Sequence, residues 1–121
     1  MQHNQGFLDL VNATRSRVRE ITIEQTRERL TQHPETQLID VREDAEWANG
    51  HAAGAKHLGK GVIERDIEAQ ISDKGTELIL YCGGGYRSIL AADALQKMGY
   101  TNVTSMAGGW RAWRDSGAPT E

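Results

Sequence analysis

The chain has 121 residues, of which 38% are hydrophobic, 26% charged and 6% aromatic, the size and composition of one globular domain. Its formal net charge of −3 gives no indication of a nucleic-acid or anionic-membrane partner, because such partners favour a basic surface. Cys82 is the only cysteine, which excludes an internal disulfide and a multi-cysteine metal site. The sequence has neither a stretch of ~20 apolar residues nor a secretory signal pattern. We therefore expect a cytoplasmic protein that binds neither membrane nor nucleic acid.

The N-terminal segment is predicted to be a helical extension. Five apolar residues recur there at a loose helical spacing: Phe7, Leu8, Leu10, Val11 and Val18. This spacing predicts a helix over residues 7–18 that packs on the body of the protein. We expect residues 1–20 to form the extension and residues 21–121 to form the main domain, with a short extended piece flanked by Ile21 and Ile23.

The first part of the main domain is predicted to alternate helix and strand. Thr22 and Gln25 have the spacing of a capping box, which predicts a helix from Ile23 to Gln32. His33-Pro34 ends it, because proline disfavours helix at the residue before it. Three shorter elements follow: a buried strand at Gln37–Val41, a helical turn around Asp44–Asn49 and a strand at Ala55–Leu58.

The second part repeats this alternation. Ile63, Ile67 and Ile71 recur every four residues and predict a helix over 63–72, which Gly75 ends. The remaining predicted elements are a strand at Glu77–Cys82, a helix at Ser88–Met98 capped by Gly99, a strand at Val103–Met106 and a short helix holding Trp110 and Trp113. Such an alternation indicates an α/β fold with a mainly parallel central sheet and helices on both faces.

One segment, Tyr81–Ser88, has the features of a reactive site. The predicted strand brings Cys82 to the carboxyl edge of the sheet, where open α/β sheets bind ligands. Three glycines and a helix N-terminus follow, so that backbone N–H groups can surround an anion. Arg87 adds a positive charge, and such surroundings favour the thiolate, which is the nucleophilic form of cysteine. The alternative is an inert cysteine at the end of a core strand, which the glycine loop makes the weaker interpretation.

A nucleotide site is the other alternative for this loop. Gly83-x-Gly85-x-x-Ser88 lacks the third glycine of the dinucleotide-binding pattern, and no acidic residue follows at the expected spacing. The phosphate-loop pattern, which ends in Gly-Lys-Ser/Thr, is absent as well. We therefore set aside both kinds of nucleotide site.

Several short motifs follow one another along the main domain. They are Asp40-Val41-Arg42-Glu43, Glu46-Trp47, Gly50-His51, Gly54-Ala55, the loop from Cys82 to Arg87, and Gly108-Gly109-Trp110. In this order they resemble the motifs of the single-domain rhodaneses, a family of sulfurtransferases. The resemblance extends from about Ile21 to Trp113.

The resemblance implies a thiosulfate sulfurtransferase-like enzyme that needs no cofactor. Cys82 would take a sulfane sulfur as a persulfide and pass it to cyanide, a small thiol or a protein thiol. The donor would be a small sulfur-containing anion, thiosulfate or a persulfide. The residues that the family uses to hold the substrate correspond to Gly83, Gly84, Gly85, Tyr86, Arg87 and Ser88.

Two features of the loop bear on the substrate. Four residues separate Cys82 from Arg87, whereas the rhodanese-related phosphatases have one more, so the shorter loop favours sulfur transfer over phosphatase or arsenate reductase activity. Rhodaneses efficient with thiosulfate often carry a basic residue after the cysteine, but this chain has Gly83 and Gly84. Lys60 and Arg65 are candidates to supply charge at the pocket mouth, although a role as solvated surface charges is slightly favoured. For the function of the chain, the remaining alternative to an enzyme is a non-catalytic redox or binding module.

The other polar candidates are expected to support the loop. By resemblance, Asp40, Arg42, Glu46 and His51 form a network behind it, for which we favour a structural ion-pair role over direct catalysis. Tyr86 is expected to line the pocket, and Trp110 is a second candidate, for which a packing role is favoured. The other histidines, His3, His33 and His57, have no metal-ligand spacing, and no metal site is expected.

Overall fold

The computed structural model describes residues 3–121. Within them, five strands form one sheet in which every pairing is parallel, in the order β1-β5-β4-β2-β3. The strands are β1 (Arg19–Ile21), β2 (Gln37–Asp40), β3 (Lys56–His57), β4 (Leu78–Tyr81) and β5 (Val103–Met106). The side chains of β4 are buried along its whole length, as expected for a central strand covered on both faces.

Helices cover both faces of the sheet, which confirms the predicted architecture. They are α1 (Gln5–Arg15), α2 (Ile23–Gln32), α3 (Asp44–Ala48), α4 (Ile63–Gln70), α5 (Arg87–Lys97) and α6 (Gly109–Asp115). One core includes residues of α1, α4 and α5 packed on alternate residues of the strands. The second core lies on the opposite face of the sheet, where α2 and α6 pack around Ile79, Met106 and Trp113. None of the helices in residues 3–121 has the length and apolar character needed to cross a membrane.

The predicted bounds are most accurate for elements that depend on contacts between residues close in the sequence. The Thr22 hydroxyl accepts from the Gln25 N–H at 3.0 Å, and the Gln25 side chain accepts from the Thr22 N–H at 2.8 Å. This capping box begins α2 at the predicted residue, and α2 ends at the predicted Gln32. Strand β5 also has its predicted limits. The other elements of the main domain begin or end within two residues of the predicted positions.

The prediction was less accurate at the N-terminus. Helix α1 begins two residues before the predicted start and ends at Arg15 rather than residue 18. Of the apolar residues used to predict it, Leu10 is 55% exposed. The extended piece lies at Arg19–Ile21, because this segment pairs with β5, and Ile23 already belongs to α2. Helix α1 packs against α5, as expected, while the proposed division at residue 20 stays a prediction.

The order of the strands determines where a site can form. Strand β4 lies between β2 and β5, and because all three are parallel their carboxyl ends meet at one edge. Three segments therefore lie side by side at this edge: the chain after Asp40, the loop after Tyr81 and the turn after Met106. Each of these segments contributes residues to the candidate site.

Candidate active site

The Cys82 sulfur is surrounded by hydrogen-bond donors from its own loop. The backbone N–H of Gly85 donates to Sγ at 3.2 Å, and the N–H of Ser88 donates to it at 3.4 Å. The Ser88 hydroxyl lies 3.4 Å from Sγ and 2.8 Å from the hydroxyl of Ser105 on β5. Cys82 is 1% exposed, so these donors act on the sulfur with little competition from water.

Other N–H groups of the same loop remain available for a ligand. Within residues 3–121, the N–H groups of Gly83, Gly84 and Tyr86 donate to no protein group. Helix α5 begins directly after them, at Arg87, and adds the positive end of its dipole. The loop therefore has unpaired donors and the positive end of a helix dipole beside the sulfur, an arrangement that suits an anion.

Helix α6 holds the loop from the other side. The N–H of Trp110 donates to the Cys82 carbonyl at 2.7 Å, and the N–H of Arg111 donates to the Gly83 carbonyl at 3.2 Å. This approach requires glycine at position 109, where φ is +56° and an added Cβ would press against the Cys82 carbonyl. The Gly108-Gly109-Trp110 motif thus fixes the backbone around Cys82.

The positive charge predicted at Arg87 is paired with a carboxylate. The two terminal nitrogens of Arg87 donate to the two carboxylate oxygens of Glu46 at 2.8 and 3.0 Å. Hydrogen bonds from Arg87, outweighing partial burial, lower the pKa of Glu46 to about 2. Glu46 is therefore an anion near neutral pH, and it offsets the charge of Arg87. The pair lies over Gly83, where an added Cβ would be 3.1 Å from an Arg87 nitrogen.

A second ion pair lies deeper, behind the loop. Arg42 is 2.8 Å from the Asp40 carboxylate and also donates to the Gly50 carbonyl at 2.8 Å. Both side chains are almost completely buried. The Arg42 guanidinium lies 5.0 Å from the centre of the Trp110 ring, so the pair contacts both the segment after β2 and helix α6. Such contacts suit the expected structural role of Asp40 and Arg42.

His51 lies apart from the sulfur. Its ring stacks on Trp47 at 3.4 Å, and its Nδ1 is 3.1 Å from the Trp47 carbonyl. None of its contacts within residues 3–121 involves Cys82. Of the four residues expected behind the loop, Glu46 alone borders the pocket at the cysteine. Within the described part of the chain, no group of three or more His, Cys, Asp or Glu residues is placed to bind a metal.

The pocket beside Cys82 has a volume of about 550 Å³. Predicted residues lining it are Glu46, Cys82, Gly83, Gly84, Tyr86 and Arg87. Gly85 and Ser88 are not in the lining but contact the sulfur. Lys60, Arg65 and Trp110 do not line it either; Arg65 is paired with Asp66 at 2.7 Å, which agrees with a surface role.

Three residues that sequence reasoning missed also line this pocket. His3 and Phe7 come from the N-terminal segment, and Arg111 comes from α6. The ring centre of Tyr86 is 4.6 Å from that of His3 and 6.3 Å from that of Phe7. Arg111 directly follows the Gly-Gly-Trp motif, and this was the one available signal for it. No sequence pattern indicated that the N-terminal segment reaches the loop after Cys82.

The fold and this loop define an α/β protein with a cysteine cradled at the carboxyl edge of a parallel sheet. The model of the rhodanese-like domain family matches residues 22–116, and the chain belongs to that family. The match omits the segment that carries His3 and Phe7.

Relatives of the chain include proteins named as sulfurtransferases. The chain is 33% identical over 102 residues to the putative sulfurtransferase YtwF of Bacillus subtilis, covering 84% of this chain and 96% of that protein. It is 35% identical over 77 residues to the thiosulfate sulfurtransferase GlpE of Stutzerimonas stutzeri, covering 64% and 69%. Some relatives are longer, since the chain spans only 52% and 60% of two of them.

A solved structure resembles the whole chain. It is a protein of unknown function from Rhodopseudomonas palustris, described as a possible tyrosine phosphatase. The TM-score is 0.87 at 26% identity, with 100% of this chain and 98% of that chain covered. The similarity therefore includes the N-terminal helix, which lies outside the residues that the family model matches.

Proposed function

We propose that the protein is a sulfurtransferase that carries a sulfane sulfur on Cys82. The observation that carries the proposal is the set of donors at the sulfur: two N–H groups and the Ser88 hydroxyl contact Sγ, and unpaired N–H groups lie beside it. This environment suits a thiolate and the anionic terminal sulfur of a persulfide. Family membership and the named sulfurtransferases among the relatives support the same reaction.

The proposed reaction has two displacement steps. In the first, the Cys82 thiolate attacks the outer sulfur of a donor such as thiosulfate, an S–S bond forms at Cys82, and the donor's S–S bond breaks. The electron pair leaves with sulfite, or with a thiolate when the donor is a persulfide. In the second step, cyanide or a thiolate attacks the terminal sulfur and regenerates the Cys82 thiolate. Because this chain has no second cysteine, the persulfide cannot form an internal disulfide.

Sulfur transfer requires no proton donor for these leaving groups. The role proposed for Arg87 and Glu46 is to hold the loop over the pocket, and Asp40 with Arg42 holds the backbone behind it. Gly83, Gly84 and Tyr86 are proposed to bind the donor through their N–H groups. His51 is given no part in proton transfer, because its contacts are with Trp47 and Glu121.

Mass spectrometry and a thiocyanate assay test this proposal together. The protein is treated with thiosulfate, and we expect one added sulfur on Cys82 that disappears when cyanide is added. Cys82→Ser should show neither the added sulfur nor turnover, while circular dichroism reports that it still folds. The absence of an adduct with thiosulfate, an organic thiosulfonate and glutathione persulfide would contradict the proposal.

Phosphatase activity is a second candidate, because the structural relative from Rhodopseudomonas palustris is described as a possible tyrosine phosphatase. Release of an alkoxide from a phosphate ester benefits from a general acid. Glu46 is the carboxylate that lines the pocket within the described residues, and a pKa of about 2 leaves it without a proton to donate. Hydrolysis of p-nitrophenyl phosphate that disappears in Cys82→Ser, with no sulfur adduct, would favour this candidate over sulfur transfer.

A further inference from the structure

We propose that this pocket selects an organic sulfane-sulfur donor, whose carbon part contacts Phe7 and Tyr86 and whose anionic group faces Arg111. The inference rests on the proposed sulfurtransferase function and specifies its donor. Three observations carry it: the size of the pocket, the aromatic residues on one side of it, and the pairing of its charged residues.

The pocket is larger than a small inorganic ion requires. Its volume of about 550 Å³ falls within the range of ~300–1,000 Å³ that is typical of sites for drug-sized ligands. Thiosulfate placed at the sulfur would occupy the inner end and leave the remainder to water. A donor with a carbon skeleton would displace that water from an apolar surface, which is favourable.

Aromatic side chains form one side of the pocket. Tyr86 comes from the reactive loop, and Phe7 comes from α1, with 6.3 Å between their ring centres. The His3 ring lies 5.2 Å from Phe7 and 4.6 Å from Tyr86, so it extends the same aromatic surface. An aromatic or aliphatic group bound here would gain contacts that an inorganic ion cannot make.

The charges on the pocket point to Arg111 as the contact for an anion. Arg87 is neutralised by Glu46 in a bidentate pair. Gly83 and Gly84 have no side chains with which to hold an anion. Arg111 lines the same pocket, and its side chain takes part in no ion pair or hydrogen bond within residues 3–121. Its backbone N–H donates to the Gly83 carbonyl at 3.2 Å, which anchors this cation beside the reactive loop.

The chemistry of an organic thiosulfonate fits this arrangement. The Cys82 thiolate attacks the outer sulfur, one S–S bond forms and one breaks, and the electron pair leaves on an organic sulfinate. A negative charge is present on the donor at the start and on the sulfinate at the end, so Arg111 interacts favourably with both. The persulfide left on Cys82 is the same species that thiosulfate would produce.

The aromatic contact is tested by comparing two donors with cyanide as the acceptor. We expect Phe7→Ala to lower kcat/KM for benzenethiosulfonate by about 5-fold to 10-fold, and to change kcat/KM for thiosulfate less than twofold. The control variant is Leu10→Ala, since Leu10 is 55% exposed on the same helix and does not line the pocket. An equal fall for both donors in Phe7→Ala, or no fall, would overturn the aromatic contact.

The charge is tested with a matched pair of arginines on α6. We expect Arg111→Gln to lower kcat/KM for both donors about fivefold, with a smaller loss at high salt. Arg114→Gln should change neither, because Arg114 lies outside the pocket and beside Asp115. Equal effects of the two substitutions would overturn the role of Arg111. Cys82-dependent turnover in which Phe7→Ala leaves the ratio of the two kcat/KM values unchanged and Arg111→Gln changes neither value would refute this inference alone. The absence of Cys82-dependent turnover with any donor would refute the proposed function as well.

Discussion

Two arginine–glutamate pairs of nearly equal geometry lie at opposite edges of the sheet. At the carboxyl edge, Arg87 donates twice to Glu46, at 2.8 and 3.0 Å. At the amino edge, Arg29 donates twice to Glu77, at 2.9 and 3.0 Å. The first pair joins α5 to α3, and the second joins α2 to the residue that precedes β4. They differ in what surrounds them, and that difference distinguishes the candidate site from a structural contact.

At the amino edge, the carboxylate of the pair has one further side-chain partner. Glu77 is 7% exposed and also accepts from the Thr36 hydroxyl at 2.6 Å. The pair at the carboxyl edge instead borders a glycine loop with unpaired N–H groups and a cysteine. An ion pair therefore does not by itself indicate a site here. The distinguishing feature is that the free backbone donors of the carboxyl edge lie in a glycine loop beside a buried cysteine.

The largest effect is expected from adding a methyl group at Gly109, where the backbone of α6 packs against the Cys82 carbonyl. Gly109→Ala combines a φ of +56° with a Cβ pressed against the Cys82 carbonyl. We expect a loss of about 3 kcal/mol or more in the free energy of unfolding, measured by urea denaturation. Gly117→Ala is the control, because its φ of +79° is similar but no atom lies within 4 Å of an added Cβ. Equal losses in the two variants would show that backbone strain alone, and not the contact with the loop, is responsible.

The two ion pairs should differ most clearly in activity. Arg87→Gln removes the guanidinium that holds the loop and leaves the Glu46 carboxylate unpaired beside an anionic donor. Both changes act in the same direction, so we expect kcat/KM for thiosulfate to fall about 100-fold. The measurement is the steady-state formation of thiocyanate.

Arg29→Gln is the matched variant at the amino edge. It should lower the melting temperature while leaving kcat/KM per folded molecule within about twofold of the original value. If Arg29→Gln reduced activity as strongly as Arg87→Gln, the contrast between the two edges would be wrong.

The sequence predicted the elements that depend on local interactions. The Thr22–Gln25 capping box and the glycine loop after Cys82 are each encoded within a few residues, and both were found from the sequence. The partners of Arg87 and Arg29 are 41 and 48 residues away, so only the fold can show that these arginines are paired. Phe7 is a stronger example, because nothing in a helical spacing indicates which edge of the sheet the helix will reach.

The free energy of unfolding at acid pH should depend on both ion pairs. Hydrogen bonds from Arg87 lower the pKa of Glu46 from 4.5 to about 2, so its stabilising contribution is complete above about pH 4.5 and is lost as the pH falls towards 2. We expect the free energy of unfolding to decline in this interval, and Glu46→Gln to make the decline shallower. Urea denaturation at a series of pH values is the measurement.

Glu77→Gln provides the comparison at the other edge. Burial raises the pKa of Glu77, but hydrogen bonds from Arg29 and Thr36 outweigh it and lower that pKa overall. Glu77→Gln should therefore also make the free energy of unfolding decline less steeply as the pH falls. An unchanged pH profile in Glu46→Gln would mean that the carboxyl-edge pair does not hold the folded state.

The smallest effect concerns two neighbouring hydroxyls on β5, which point to opposite faces of the sheet. Ser105 is hydrogen-bonded to Ser88 at 2.8 Å, and Ser88 lies 3.4 Å from the Cys82 sulfur. The hydroxyl of Thr104 is buried and has no hydrogen-bond partner within residues 3–121. Ser105→Ala should free the Ser88 hydroxyl to turn away from the sulfur, and we expect kcat/KM to fall about threefold.

Thr104→Val is the matched substitution, because it removes the neighbouring hydroxyl with little change in shape. We expect its kcat/KM to be unchanged and its free energy of unfolding to be the same or higher by up to about 1 kcal/mol, since an unpaired buried hydroxyl is lost. Thiocyanate formation and urea denaturation measure the two quantities. If both substitutions lowered activity equally, packing of β5 against the loop, and not the hydroxyl chain from Ser105 to Cys82, would position the sulfur.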